Sequence, residues 1–278
     1  MLISDIISSA EKAGRVRYIG KSLYGSPIPL IRKGSARPGG VLIVGTVHAR
    51  EHITGMLITE LMRRYSGDAP VDAVPYLNPD GAVLATEGLT AFTLKNAERL
   101  ALLRLNGGST DYSQWKANLR GVDLNVNFDA EWGTGAENVR VPGPANYIGP
   151  YPESEPETRA ICALMDQGAY ALVVAYHSKG EEVYWGFRNI RTYRAEAERV
   201  ANELGYALKE TPRSAGGLKD YRVLKTGLPA FTVEVGKSSF PHPYPVEELP
   251  NLVRTHENII GVYNEIAEKV WKERRNTT

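Results

Sequence analysis

The chain predicts an α/β fold, a mixed parallel and antiparallel central sheet with helices on both faces. Three observations carry that reading: short apolar runs of strand length recur, amphipathic helical segments stand between them, and cap or turn signals separate the two. The first run, Val41-Leu-Ile-Val-Gly-Thr-Val47, is apolar almost throughout, as a strand covered on both faces must be. After it, Ile53, Met56, Leu57, Leu61 and Met62 fall on one face of a helix over residues 52–65. Residues 71–77 read as a strand closed by the turn signal Asn78-Pro79-Asp80-Gly81. Ser154-Glu-Pro-Glu157 has the spacing of a capping box with Pro156 early in the first turn, so a helix is expected through Ile161, Leu164 and Met165. A second buried strand, residues 171–176, ends at His177, and a further strand covers 182–187. A charged amphipathic helix follows around 192–204, then a strand over 230–235 with Glu234 near its end, and a last helix over 252–270.

With 278 residues and 42% hydrophobic composition the chain can bury a full core, and no Gly/Ser or Pro-rich linker, repeat or low-complexity tract divides it. Residues 1–278 are therefore expected to form one domain. A formal net charge of +1 argues for neither a nucleic-acid partner nor docking on an anionic membrane. The opening Met1-Leu-Ile-Ser-Asp-Ile-Ile puts acid inside a short apolar stretch without a basic start, unlike a signal peptide or a membrane span. Cys162 is the single cysteine, so no intrachain disulfide can form; it reads as inert core, and a cytoplasmic location is expected.

The chemistry concentrates at strand ends. His48-Ala-Arg-Glu51 follows the first buried strand, and one turn of backbone can aim an imidazole and a carboxylate at offset i, i+3 at a single point. Ligands bind beyond the carboxyl ends of strands in open α/β sheets. His177 ends another apolar strand, so His48, Glu51 and His177 can supply three zinc ligands with a fourth position open, the mark of a catalytic rather than a structural zinc. Glu234, flanked by Val233 and Val235, is costly to bury without a partner and is the candidate general base. Singly, each has an ordinary structural reading, and it is the combination that points to a metal site. His242 and His256 read as structural or exposed.

The residues from Gly20-Lys-Ser-Leu-Tyr-Gly-Ser-Pro-Ile28 through His48-Ala-Arg-Glu51, Asn78-Pro-Asp-Gly81, Gly121-Val-Asp-Leu-Asn125, Ser154-Glu-Pro-Glu157, His177 and Phe231-Thr-Val-Glu234 resemble, in order, the zinc metallocarboxypeptidases of the carboxypeptidase A superfamily. The resemblance implies one Zn2+ on His48, Glu51 and His177, with Glu234 as general base. It further implies that Asp123 hydrogen-bonds His48 and that Asn125 contacts a substrate carboxylate. Trp115-Lys116-Ala-Asn118 stands where the family has its oxyanion-stabilising arginine, so Lys116 is the expected electrophile and Arg120 the fallback.

Departures from the family's pattern bear on substrate. Val126 replaces the arginine that grips a terminal α-carboxylate, and Pro212 falls where a mobile tyrosine lid is expected, with Tyr221 a partial substitute. Lys219 falls at the pocket floor with Arg213 nearby, which favours an anionic substrate group. Together with Gly-Gly-x-Lys-Asp-aromatic and Thr-Val-Glu-Val-Gly236, these features are similar to bacterial γ-D-glutamyl-diamino acid peptidases, which cleave peptidoglycan stem peptides. The expected substrate is then a soluble peptide or muropeptide inside the cell, cut at the γ-D-glutamyl-diaminopimelate or lysine bond. An ordinary carboxypeptidase and a degenerate, non-catalytic binder of wall peptides are the alternatives. A third reading, the inverted zincin pattern His48-x-x-Glu51-His52, puts zinc on His52 and makes Glu51 the base.

Overall fold

The computed structural model describes residues 1–277. In chain order its helices are α1 (Ile3–Ala13), α2 (His52–Arg64), α3 (Pro79–Glu87), α4 (Asn96–Leu105), α5 (Pro156–Gln167), α6 (Arg194–Leu204), α7 (Leu218–Thr226), α8 (Leu249–Thr255) and α9 (Ile259–Thr277). The strands are β1 (Arg15–Lys21), β2 (Pro27–Lys33), β3 (Val41–Val44), β4 (Val71–Val74), β5 (Leu172–Ser178), β6 (Glu182–Tyr184), β7 (Ala207–Lys209) and β8 (Ala230–Val235). They form a sheet in the order β1-β2-β4-β3-β5-β8-β6-β7. Its centre, β4-β3-β5-β8, is parallel, and antiparallel pairing of β2 on β4 and of β6 on β8 extends it on both sides.

Strand residues alternate between two cores, which is why the central runs are apolar without a break. Val41, Ile43, Val174, Tyr176, Val233 and Val235 pack under α1, α2, α6, α8 and α9. Leu42, Val44, Val173, Ala175 and Ala230 pack under α5 and α7. His177 and Glu234 follow the second set along β5 and β8, so they emerge on the α5/α7 side at the carboxyl ends of the strands. Gly55 lets α2 lie close to the sheet, since a Cβ there would come within 2.6 Å of Pro75 O and Thr46 Oγ1.

Three local expectations are corrected. Asn78-Pro-Asp-Gly81 opens a helix rather than ending a strand in a turn: Asn78 Oδ1 accepts the Gly81 N–H and Pro79 takes the first helical position. Ser154 does not cap α5; its hydroxyl donates to Glu155 Oε1, while Glu157 accepts the amide of Leu23, 134 residues away. The last helix is two, broken around His256. Among the described residues no helix is long and apolar enough to cross a membrane.

Asn78 also donates to Ala117 O at 3.1 Å and Val47 O at 3.5 Å, joining α3 to the segments carrying Lys116 and His48. Asn78→Ala is expected to lower the unfolding free energy by about 2–3 kcal/mol, from a lost cap and orphaned carbonyls, as read from urea denaturation.

Candidate active site

The backbone after β3 turns sharply because Thr46 adopts φ 45°, a left-handed conformation unusual for a β-branched residue. Its amide donates to Thr54 Oγ1, whose hydroxyl in turn donates to Glu51 O. His48 then leads into a 3-10 turn, Ala49–Glu51, closed by Glu51 N–H to His48 O. That single turn brings the two side chains together, as the i, i+3 offset requires. Backbone bonds from Ala49 and Arg50 to Lys116 O and Trp115 O fasten the turn to the next segment of the site.

His48 Nδ1 lies 2.8 Å from Glu51 Oε1, His177 Nδ1 lies 3.0 Å from Glu51 Oε2, and the two imidazole nitrogens are 3.2 Å apart. Ligands about 2.0–2.1 Å from a tetrahedral zinc stand about 3.3 Å from one another, so this spacing fits the metal. Two ring nitrogens and both carboxylate oxygens turned inward on one point, all buried, are a donor set shaped for a shared cation. In the metal-free protein burial opposes charge on His48, but Glu51 and Asp123 outweigh it and raise its pKa to about 9. Burial alike works against ionised Glu51, yet the two imidazoles hold its carboxyl well below the usual range.

Asp123 orients this centre. Its Oδ1 lies 3.1 Å from His48 Nε2 and accepts the Asn125 N–H, while Oδ2 lies 3.3 Å from Lys116 Nζ and accepts the Asn146 N–H. Lys116, largely buried, also donates to Asn146 Oδ1; burial works against its charge, but Asp123 and Glu51 raise its pKa, so it remains a cation beside the triad. Glu234 pairs in register with His177 on the neighbouring strand, and its Oε2 is buried with no hydrogen-bond partner. Burial first, then the Glu51 charge, push its pKa up to about 8. A cavity of about 530 Å³ opens from Glu234, lined in part by Asn125, Val126, Tyr184, Arg213 and Lys219.

Several sequence expectations land elsewhere. Arg120 reaches the buried Glu155, 3.4 Å away, and is no fallback cation for the triad. Lys219 does line the cavity, but its ammonium is neutralised by Asp220 Oδ1 at 2.5 Å and also donates to Gly186 O, so it adds no free positive charge. Tyr221, on α7, faces the core against Phe128 and cannot act as a lid; Tyr244 is also buried, its hydroxyl accepting the Lys237 N–H. Asn125 Oδ1 accepts the Leu218 N–H, which leaves its amide hydrogens for the cavity. His52 stands outside the converging group, against the inverted zincin reading. His256 is fully buried and bonded to Leu252 O, and half-buried His242 lies near enough to Arg50, Glu51 and His48 to feel their charges. Two site neighbours were not expected from the sequence, Tyr184 and Asn146. The alternation of β6 carries the signal for Tyr184, which pairs with Thr232 and shares the Glu234 face.

The family model for zinc carboxypeptidases matches residues 3–256. Gamma-D-glutamyl-L-diamino acid endopeptidase 1 of Lysinibacillus sphaericus is 31% identical over 268 residues, covering 88% of this chain and 65% of its own. An uncharacterised Bacillus subtilis protein is 29% identical over 255 residues, 82% of this chain and 66% of its own. The chain thus spans just under two thirds of the length of these relatives. Among solved structures, bovine thrombin-activatable fibrinolysis inhibitor superposes with a TM-score of 0.72 at 17% identity, covering 98% of both chains. Murein-tripeptide amidase MpaA of Escherichia coli O157 gives 0.61 at 22% identity over 90% of this chain and 94% of its own. These likenesses establish the carboxypeptidase fold, and the match of the family model along nearly the whole sequence establishes that the chain belongs to the zinc carboxypeptidase family.

Proposed function

We propose that the protein is a zinc-dependent peptidase that hydrolyses the γ-D-glutamyl-diamino acid bond of peptidoglycan stem peptides. The observation that carries the reading is Glu234, half-buried with its Oε2 buried and without a hydrogen-bond partner, beside the His48/Glu51/His177 triad at the head of a peptide-sized cavity. His48, Glu51 and His177 would hold the metal, which would supply Lewis-acid polarisation of the scissile carbonyl and a water pKa lowered to about 7. Glu234 takes the proton of the attacking water and returns it to the leaving amine; a cation held by the triad favours the ionised carboxylate that the first of these steps needs. Lys116, held by Asp123, meets the charge developing on the carbonyl oxygen.

The cavity argues for the leaving group. With Val126 in place of an arginine, no fixed guanidinium grips a single α-carboxylate at that position. Apart from Glu234, the lining instead carries one charge of each sign, Arg213 and Glu137, beside the neutralised Lys219–Asp220 pair. A diaminopimelate residue, which carries an amine and a carboxylate at its far end, matches such a lining better than an apolar or purely cationic residue does. The L. sphaericus relative named for this bond and an Escherichia coli murein peptide amidase A, 29% identical over 172 residues, support the assignment. The lone buried Cys162 asks for no oxidising compartment, and we place the reaction on soluble peptides in the cytoplasm.

Peptides with γ- and α-linkages decide the matter. Chelator-sensitive amine release from a γ-D-glutamyl-diaminopimelate peptide is expected; preference for unblocked α-linked peptides selects an ordinary carboxypeptidase, and no turnover at full zinc occupancy selects a binder. Glu234→Gln should lower kcat by about 10²–10⁴-fold while zinc content stays at one per chain. In the metal-free protein Glu234 has a folded pKa of about 8 against 4.5 unfolded, so it favours the folded state at low pH. That contribution, about 3–5 kcal/mol, is lost as pH rises from near 4.5 through 8. Chelated Glu234→Gln should therefore show a flatter fall of stability across that window than chelated wild type in urea titrations.

A further inference from the structure

A second charged cavity lies at the opposite rim of the sheet, where the parallel strands begin. Its volume is about 470 Å³, and Arg15, Arg17, Arg32, Lys33, Arg37 and Asp72 are the charged groups among its lining residues. Five cations thus surround one carboxylate in a chain whose net charge is only +1.

Register shows the imbalance. Arg15 on β1 stands directly opposite Arg32 on β2, and Arg32 stands opposite Asp72 on β4. Like charges directly opposite in a sheet repel. Asp72 cannot relieve both: Oδ1 accepts Arg32 Nε at 2.9 Å, and Oδ2 accepts the Tyr170 hydroxyl at 2.6 Å. Arg17 follows on the same face of β1 as Arg15, and among the described residues no carboxylate pairs with either guanidinium. Lys33 donates to Tyr65 O, and the charge of Arg37 is partly met by Glu268. Charge on β1 would by itself guard an edge strand against pairing with another chain. That purpose requires neither an arginine opposite an arginine nor a cavity between them.

We propose that this cleft is an anion-binding site, separate from the zinc centre, for a small ligand with clustered oxyanions, phosphoryl or carboxylate groups. The guanidinium forks of Arg15 and Arg17 bind it and Arg32 flanks them, an arrangement suited to bidentate contacts with such groups. The ligand supplies the negative charge that the row Arg15-Arg32-Asp72 lacks.

The test uses the zinc-loaded full chain and two weakly chelating probes, fructose 1,6-bisphosphate and tricarballylate, in calorimetric titrations at about 0.15 M salt. Saturable binding of at least one is expected, and which one it is separates a phosphoryl from a carboxylate ligand. The double variant Arg15→Thr/Arg17→Thr, threonine being at home in strands, should weaken it about tenfold or more, while Arg63→Ala leaves it unchanged. Zinc content and peptide hydrolysis equal to wild type show the double variant to be folded. Absence of saturable binding by either probe, or equal binding by the folded double variant, overturns the proposal.

Discussion

Two carboxylates, buried Glu51 and half-buried Glu234, share one end of the sheet with two imidazoles, and the cost of taking that much charge out of water is the constraint around which the rest is arranged. Without a metal, the imidazoles satisfy Glu51, and Glu234 is left with an unpartnered oxygen and a raised pKa. A dication held by the triad offsets both acids at once. The same arrangement that is unfavourable without a cation thus fits a metal site with a carboxylate beside it.

The surroundings hold that geometry rigid. Asp123 links His48, Lys116 and the amides of Asn125 and Asn146, so the imidazole's orientation and the position of the cation share one carboxylate. Thr46 and the 3-10 turn set where His48 and Glu51 leave β3, and parallel pairing of β5 with β8 sets Glu234 beside His177. His177 and Glu234 stand on central strands, and His48 and Glu51 stand on a turn fastened by bonds to Thr54, Trp115 and Lys116.

Selectivity rests on softer features. Val126 stands in the cavity wall, Lys219 is cancelled by Asp220, and, apart from Glu234, Arg213 and Glu137 are the other charged groups of the lining. The opposite rim contrasts with it, since there the cations outnumber their acid.

The triad and the strands that carry it were legible in the sequence because an unbroken apolar run ending in a polar ligand has few alternatives, and the i, i+3 offset is a local rule. Asn78 was misread for a local reason as well: Asn-Pro-Asp-Gly is equally good as a turn and as a capped helix start, and the decision falls to its bonds with Ala117 O and Val47 O. Glu155 and Phe128 likewise decide the roles of Arg120 and Tyr221, since a cation's worth and an aromatic's direction depend on partners distant in the chain, whereas Lys219 is met by the next residue, Asp220. By itself the sequence determined the fold class and singled out the candidate ligands and candidate base, which follow from short-range periodicity and residue chemistry. Only the tertiary structure decided which charges remain free at the cavity and at the far rim, because ion pairing is settled by neighbours that no spacing along the chain encodes.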